Sequence, residues 1–224
     1  MMPLAGGGKE TVVTETTRQT AVRSSNRVQR KRGKRVQQIV KTAAELFGEH
    51  GYQAVSLDDV AERLDVTKGS LYYYFASKDD LATAAIETLG NEWTARLQEL
   101  SDGLGGTADG RLRALLHTHI TIAVRDYPAA LRLFLEPRAW PEPQAARVKD
   151  LRRRHNHVFR AVIEEGVATG EFTVTSIDTT LQCMHAAMAQ APSWCAPLPR
   201  PARDQAIEEL TATLMMLVGR PPRP

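Results

Sequence analysis

Cysteine is nearly absent from this chain. Cys183 and Cys195 are the only two in 224 residues, too few for a disulfide framework, and no Cys or His pair at ligand spacing accompanies them to make a zinc site. Reduced thiols in a cytosolic protein are the expectation. No run of about 18 apolar residues occurs, which excludes a membrane-spanning helix of ordinary length. The first residues lack the basic-then-apolar pattern of a secretory signal. Period-two alternation is missing throughout, so no strand is predicted. No HExxH, GxSxG, P-loop or dinucleotide-binding fingerprint is present, and Gly6-Gly7-Gly8 stands in a stretch with no strand or helix pattern around it. His117 and His119 are two apart, as are His155 and His157, a spacing that sends side chains to different sides of a helix. These absences argue against an enzyme and imply no metal and no cofactor.

Charge is present but unevenly placed. The net charge is only +3. Residues 1–80 hold 13 Lys and Arg against 10 Asp and Glu, while the remainder is balanced at 16 of each. Within the first part Arg23, Arg27, Arg30, Lys31, Arg32, Lys34 and Arg35 form a run with no acid among them. Such a run can lie on phosphates or enter a minor groove, or remain a solvated basic tail with only nonspecific attraction to nucleic acid. Residues 1–25 are rich in Gly, Thr and Ser without periodicity and read as disordered. We therefore assign 1–30 to a disordered basic arm, 31–78 to a compact DNA-binding domain and 79–224 to a second helical domain.

The most informative segment is Ser56–Phe75. Ser56 is a helix N-cap, followed by Asp58 and Asp59 in a first turn that favours negative charge. Leu57, Val60, Ala61 and Leu64 give an apolar face at helical spacing. Asp65 and Val66 make a turn, with Val66 as its buried plug, and Thr67 caps a second helix. Lys68, Gly69 and Ser70 in that helix's first turn are compact or basic, as an N-terminus pressed against base edges and phosphates requires. Tyr72, Tyr73 and Tyr74 are about 100° apart, so they cannot share a face. Leu71 and Phe75, four apart, point inward. At least one tyrosine is thus left exposed, with Tyr72 the choice for bases and Tyr73 and Tyr74 nearer phosphate or core. Ser77 caps the next helix. Lys78 in its first turn opposes the helix dipole, which a bound phosphate would offset; an ordinary exposed lysine is the alternative.

The rest of the chain reads as amphipathic helices, about nine in all, an all-α fold. Helix 1 is predicted from about Lys34 to His50, with Val36, Ile39, Val40, Ala43 and Phe47 as its stripe and Gly51 as its cap. A long helix from Lys78 to about Ser101 starts in the DNA-binding domain and ends in the next. Further helices are expected over Leu112–Ala123, a short one from Pro128 to about Glu136, one from the Trp140–Pro143 turn to about Ala168, then Ser176–Ala191 and Arg203–Val218.

The run VTKGSLYYYFASKDDL, Val66–Leu81, resembles the recognition-helix segment of the TetR/AcrR family of bacterial transcriptional regulators, and TAAELFGEHGYQAVSLDDVAERL, Thr42–Leu64, resembles the segment before it. By position, the resemblance places Lys68, Gly69, Ser70 and Tyr72 against bases or in the groove, and Tyr73, Tyr74 and Lys78 against phosphates. Ser56 and Leu57 match the start of a helix lying on the backbone. Asp58 departs from members with a basic residue there: it can accept from a cytosine amino group but repels phosphate. The resemblance implies a homodimeric repressor, joined through the last two helices, that leaves a palindromic double-stranded DNA operator when a small-molecule effector binds. It further implies a cytoplasmic, nucleoid-associated protein. An activator and an effector-independent DNA-binding protein are the alternatives.

For the effector, Trp93, His119, Phe134, Trp140, His155, Phe159, Met184 and Met188 are the candidate lining, with Trp194 a further aromatic. Each is also ordinary core material. Arg152, Arg153 and Arg154 could meet an anionic group, such as that of an acyl-CoA, or simply face solvent.

Overall fold

The structure is a computed structural model and describes residues 10–126 and 140–219. The chain divides into two units, residues 1–39 and 40–224. Among the described residues there are eight α-helices and no strand: α1 (Glu10–His50), α2 (Leu57–Arg63), α3 (Lys68–Tyr72), α4 (Lys78–Gly103), α5 (Ala108–Thr121), α6 (Gln144–Ala168), α7 (Ile177–Cys195) and α8 (Arg200–Met215). A π-helical turn, Ile122–Asp126, continues α5, and a 3-10 turn, Met216–Val218, follows α8. The short helix expected from Pro128 lies outside the described residues, as does Phe134.

α1 departs most from the sequence reading. It begins at Glu10, not near Lys34, so described residues of the stretch read as a disordered arm are helical. No proline interrupts residues 10–50, and each residue added to an existing helix costs far less than a new nucleus. At the far end Ile39, Val40, Ala43 and Phe47 are buried as expected, while Val36 is only half-buried. Gly51, at φ +82°, takes the left-handed turn that ends the helix.

The second domain is built around α5. Its Leu112, Leu115, Leu116 and Ile120 are fully buried and join Phe159, Val162 and Ile163 of α6, Met184 and Met188 of α7, and Ile207 and Leu214 of α8 in one core. Each fully buried Leu or Ile of this set contributes roughly 1.5–3 kcal/mol. Glu171 ties the helix start down, its carboxylate accepting from the Ala108 and Asp109 N–H groups at 3.1 Å each. α7 runs to Cys195, past Pro192, where the sequence reading stopped at Ala191; α8 begins at Arg200. Proline removes one backbone donor within the final turn, and Ala191 and Cys195, both fully buried, hold that turn in the core.

α4 and α6 lie side by side over much of their length. Leu151 closes against Gly90 so tightly that an added Cβ would meet its side chain at 2.7 Å. Arg147 of α6 forks onto Glu87 of α4, with Nε to Oε1 at 2.8 Å. Nearer the start of α4, Gln144 Nε2 donates to Asp80 Oδ1 at 2.8 Å.

Candidate nucleic-acid interface and a buried histidine cluster

Local hydrogen bonds fix the two short helices. The Ser56 hydroxyl accepts from the Asp59 N–H at 3.2 Å while the Ser56 N–H donates to Asp59 Oδ2 at 2.7 Å, a reciprocal cap that starts α2. The same Ser56 groups hold the Asp59 carboxyl below its ordinary value. α2 closes at Asp65, left-handed at φ +52°: its N–H returns to Glu62 O and the Val66 N–H to Ala61 O, both at 3.0 Å. Val66 is half-buried, so the turn is sealed by backbone bonds more than by the apolar plug expected there. Thr67 caps α3, accepting from the Ser70 N–H at 3.3 Å.

α3 is then anchored on one side and open on the other. Leu71 (0%) and Phe75 (8%) are buried as expected, whereas Tyr72 is 46% and Tyr73 70% exposed. Lys68 and Gly69 are exposed, Ser70 half-buried. Tyr74 is half-buried and meets Tyr73 edge-on at 5.1 Å. The sequence reading gave Asp58 no settled role. Here its Oδ2 holds the Lys68 ammonium at 2.6 Å across the turn, and this hydrogen bond raises the lysine pKa.

Beside α3 lies an open groove of about 450 Å³, lined among others by Ser56, Leu57, Asp58, Tyr72, Ser77 and Lys78. The N-termini of α2 and α4 both border it, an arrangement favouring anions at its rim. Lys78 is fixed there: its ammonium donates to Gln53 O at 3.2 Å and stands 4.2 Å over the Tyr52 ring. Tyr52 in turn donates to Asp79 at 2.8 Å. Tyr52 is a supporting residue that the sequence reading passed over; its place between Gly51 and the capped helix was the available signal. Along α1, Arg30, Lys31, Arg32 and Lys34 are exposed, and Arg35 is half-buried with a 2.6 Å bond to Gln38.

In the second domain, four of the expected lining residues come together. The His119 ring stands 5.3 Å from Trp93, 5.1 Å from His155 and 5.7 Å from Phe159. His185 completes the cluster, 5.2 Å from Phe159 and 5.9 Å from His155. The sequence reading missed it, although Leu181, His185 and Met188 recur at i, i+4, i+7. His155 Nε2 is 3.2 Å from His119 Nδ1, and His155 Nδ1 is 3.1 Å from the Thr94 hydroxyl. Burial pushes the His119 imidazole well below its ordinary value, with repulsion from His155 and His185 adding to it. Burial likewise pushes His155 down to about 3 and His185 to about 4. Met184 and Met188 are fully buried in the main core. Trp140 stands 6.5 Å from Tyr52, towards the DNA-binding end. Arg153 and Arg154 are exposed and pair with Asp150. No helix among the described residues is long and apolar enough to cross a membrane.

Comparison with known proteins gives two adjoining matches. Residues 39–85 match the family described as "Bacterial regulatory proteins, tetR family", and residues 105–218 match "Tetracyclin repressor-like, C-terminal domain". A solved TetR/AcrR-family regulator from Thermobifida fusca is 31% identical, covering 81% of this chain and 97% of that one, with a TM-score of 0.64. The fatty acid metabolism regulator protein of Bacillus subtilis is 23% identical over 134 residues, 60% of this chain and 69% of that protein. A regulator structure from the same organism, FadR in complex with stearoyl-CoA, shares the fold at a TM-score of 0.67 and 20% identity, covering 82% and 97% of the two chains.

Proposed function

The chain belongs to the tetR family of bacterial regulatory proteins, and from that premise we propose how it works as a ligand-responsive, DNA-binding transcriptional repressor. Two copies join through α7 and α8 and set their α3 helices in successive major grooves, about 34–36 Å apart, on a palindromic operator. Trp194 on α7 and Met216 and Leu217 just after α8 support that interface, because all three are large apolar side chains left exposed on one chain. Tyr72 and Lys68 reach base edges. Tyr73, Lys78 and the N-termini of α2 and α4 meet phosphates, and the exposed basic residues of α1 add nonspecific attraction. A cytoplasmic location follows from such a partner.

The effector enters the second domain beside Trp93, His119, His155 and Phe159. It shifts the balance between a conformer that fits DNA and one that does not, and DNA weakens effector binding by the same factor. An acyl thioester is one candidate effector, since the FadR relative was solved with stearoyl-CoA.

The observation that carries this reading is α3 itself: a capped helix anchored by Leu71 and Phe75 that leaves Lys68, Tyr72 and Tyr73 outward. The test is to select binding duplexes from a random pool and measure affinity by fluorescence anisotropy. The wild-type chain should prefer the selected duplex over a scrambled one. Tyr72→Ala should lose roughly tenfold or more of that preference, the scale of one or two good base contacts, while its melting temperature and oligomeric state stay unchanged. A wild-type chain that binds both duplexes equally would sink the proposal.

A further inference from the structure

The two carboxylates in the first turn of α2 are used differently. Asp59 is turned back onto Ser56, accepting from its N–H at 2.7 Å and its hydroxyl at 2.8 Å. Asp58 crosses instead to the next helix, where its Oδ2 meets the Lys68 ammonium at 2.6 Å. The Asp58 and Lys68 side chains remain 55% and 60% exposed. Tyr72 joins them. It lines the open groove together with Asp58, and the Lys68 ammonium stands 5.9 Å from its ring centre. The side of α3 proposed above to face bases thus carries an acceptor and a donor side by side, next to an exposed tyrosine.

A carboxylate in such a place has few uses on DNA. It repels phosphates, and it needs a donor. In the major groove the donors are the amino groups of cytosine and adenine. Adenine N6 is flanked by the acceptor N7 of the same base, which repels a carboxylate; cytosine N4 has no acceptor beside it on its own base. The partner of cytosine completes the match, because guanine offers O6 and N7, two acceptors for an ammonium. Cytosine N4 and guanine O6 are bonded to each other at about 2.9 Å. A donor and an acceptor therefore stand nearly as close on this base pair as Lys68 and Asp58 do on the protein.

We propose that Asp58 and Lys68 act as one unit that reads a single C·G base pair in each half-site, Asp58 accepting from cytosine N4 and Lys68 donating to guanine O6 and N7. The inference rests on the regulator reading above and specifies part of its operator. As each side chain moves to its base, the two charges stay neighbours and keep much of their attraction. Each of the other three base pairs mismatches the carboxylate. A reversed G·C sets it against O6 and N7, T·A sets it against O4, and A·T sets it beside N7. The pair thus selects as much by rejection as by contact.

The test starts from the full chain and a random duplex pool, selected in parallel by the wild type, Asp58→Ala, Asp58→Asn and Lys68→Ala. The wild-type set should hold one fixed C·G pair per half-site that becomes free to vary with Asp58→Ala and with Lys68→Ala, while the remaining positions keep their bases. Changing that pair to T·A should weaken wild-type binding about tenfold or more by anisotropy, and Asp58→Ala binding less than about threefold. Asp58→Asn is the comparison that misfolding cannot imitate. Its amide matches adenine N6 and N7, so it should prefer A·T where the wild type takes C·G. 7-Deazaguanine in that pair, which lacks N7, should weaken the wild type and leave Lys68→Ala unchanged. An Asp58→Ala set with the wild-type bases throughout, a released position other than C·G, or release of different pairs by the Asp58 and Lys68 variants each overturns the proposal. So does an Asp58→Asn set that keeps C·G. Uniform loss at every position with a lower melting temperature would make the pair a brace between α2 and α3, and overturns it too. If the wild type selects a sequence while the variants behave in one of these ways, only this inference falls; if the wild type selects none, the regulator reading falls with it.

Discussion

At the scale of single residues, the exposed side of α3, proposed above to face DNA, is held in check by its own neighbour. Lys68, in the first turn of α3, is paired at 2.6 Å with Asp58 from the first turn of α2, both exposed. Near DNA the lysine must trade this partner for a phosphate or a base, while Asp58 repels the backbone. The pair therefore lowers nonspecific attraction. Asp58→Asn keeps the shape and removes the charge. We expect about three- to tenfold tighter binding to a scrambled duplex and a narrower gap to the selected one, read by anisotropy at fixed salt because each added phosphate contact steepens the salt dependence. Melting should hardly move, since a solvent-exposed ion pair is screened and adds little net stability. Scrambled-duplex affinity unchanged or weakened in the variant would mean that Asp58 does not repel the backbone. The sequence showed both residues but not their pairing, because ten positions apart they meet only once the turn has formed.

At the scale of elements, what was legible was what local chemistry decides. The caps at Ser56, Thr67 and Ser77, and the inward Leu71 and Phe75, stand where spacing put them. What was not legible depended on context. The start of α1 was misplaced because a polar, basic sequence carries no stop signal as well as no apolar stripe. α7 ran past Pro192 because burial of Ala191 and Cys195 outweighs one lost backbone donor. The turn between α2 and α3 shows a third case. Asp65 sits at φ +52°, where glycine or asparagine is the usual choice, and was readable as a turn residue but not as a left-handed one. A β-branched residue there would be strained. Asp65→Val should cost roughly 1–2 kcal/mol and lower the melting temperature, whereas Asp65→Gly should match or exceed the wild type. A valine variant as stable as the parent would show that the turn does not need this conformation.

At the scale of the whole molecule, the candidate site divides along the same line. Trp93, His119, His155 and Phe159 were chosen from three separate stripes and do converge, because each lies on the buried face of its helix. Thr94 was missed because a threonine is no core residue by type and only the packing of α4 on α6 brings it in, whereas His185 could have been read from its helical spacing with Leu181 and Met188. Their assembly has a consequence for stability. The rings face one another, Trp93, Phe159 and Thr94, and none of these can neutralise an imidazolium. A histidine whose folded pKa lies below its unfolded value of about 6.5 binds protons in the unfolded chain first. Stability is thus fully present above that value and is lost as pH falls towards the folded pKa, about 3 for His155 and about 4 for His185. By pH 5 the loss is roughly 2 kcal/mol for each of these two, with His119 shifted in the same direction. Melting scans from pH 7.5 to 5.0 should therefore show a steep fall, beginning well above the range where carboxylates titrate. His155→Gln, which keeps an uncharged hydrogen-bonding group, should flatten part of that slope even if it is less stable at pH 7.5. A profile that stays level down to pH 5 would mean that the cluster admits protons, and with them water.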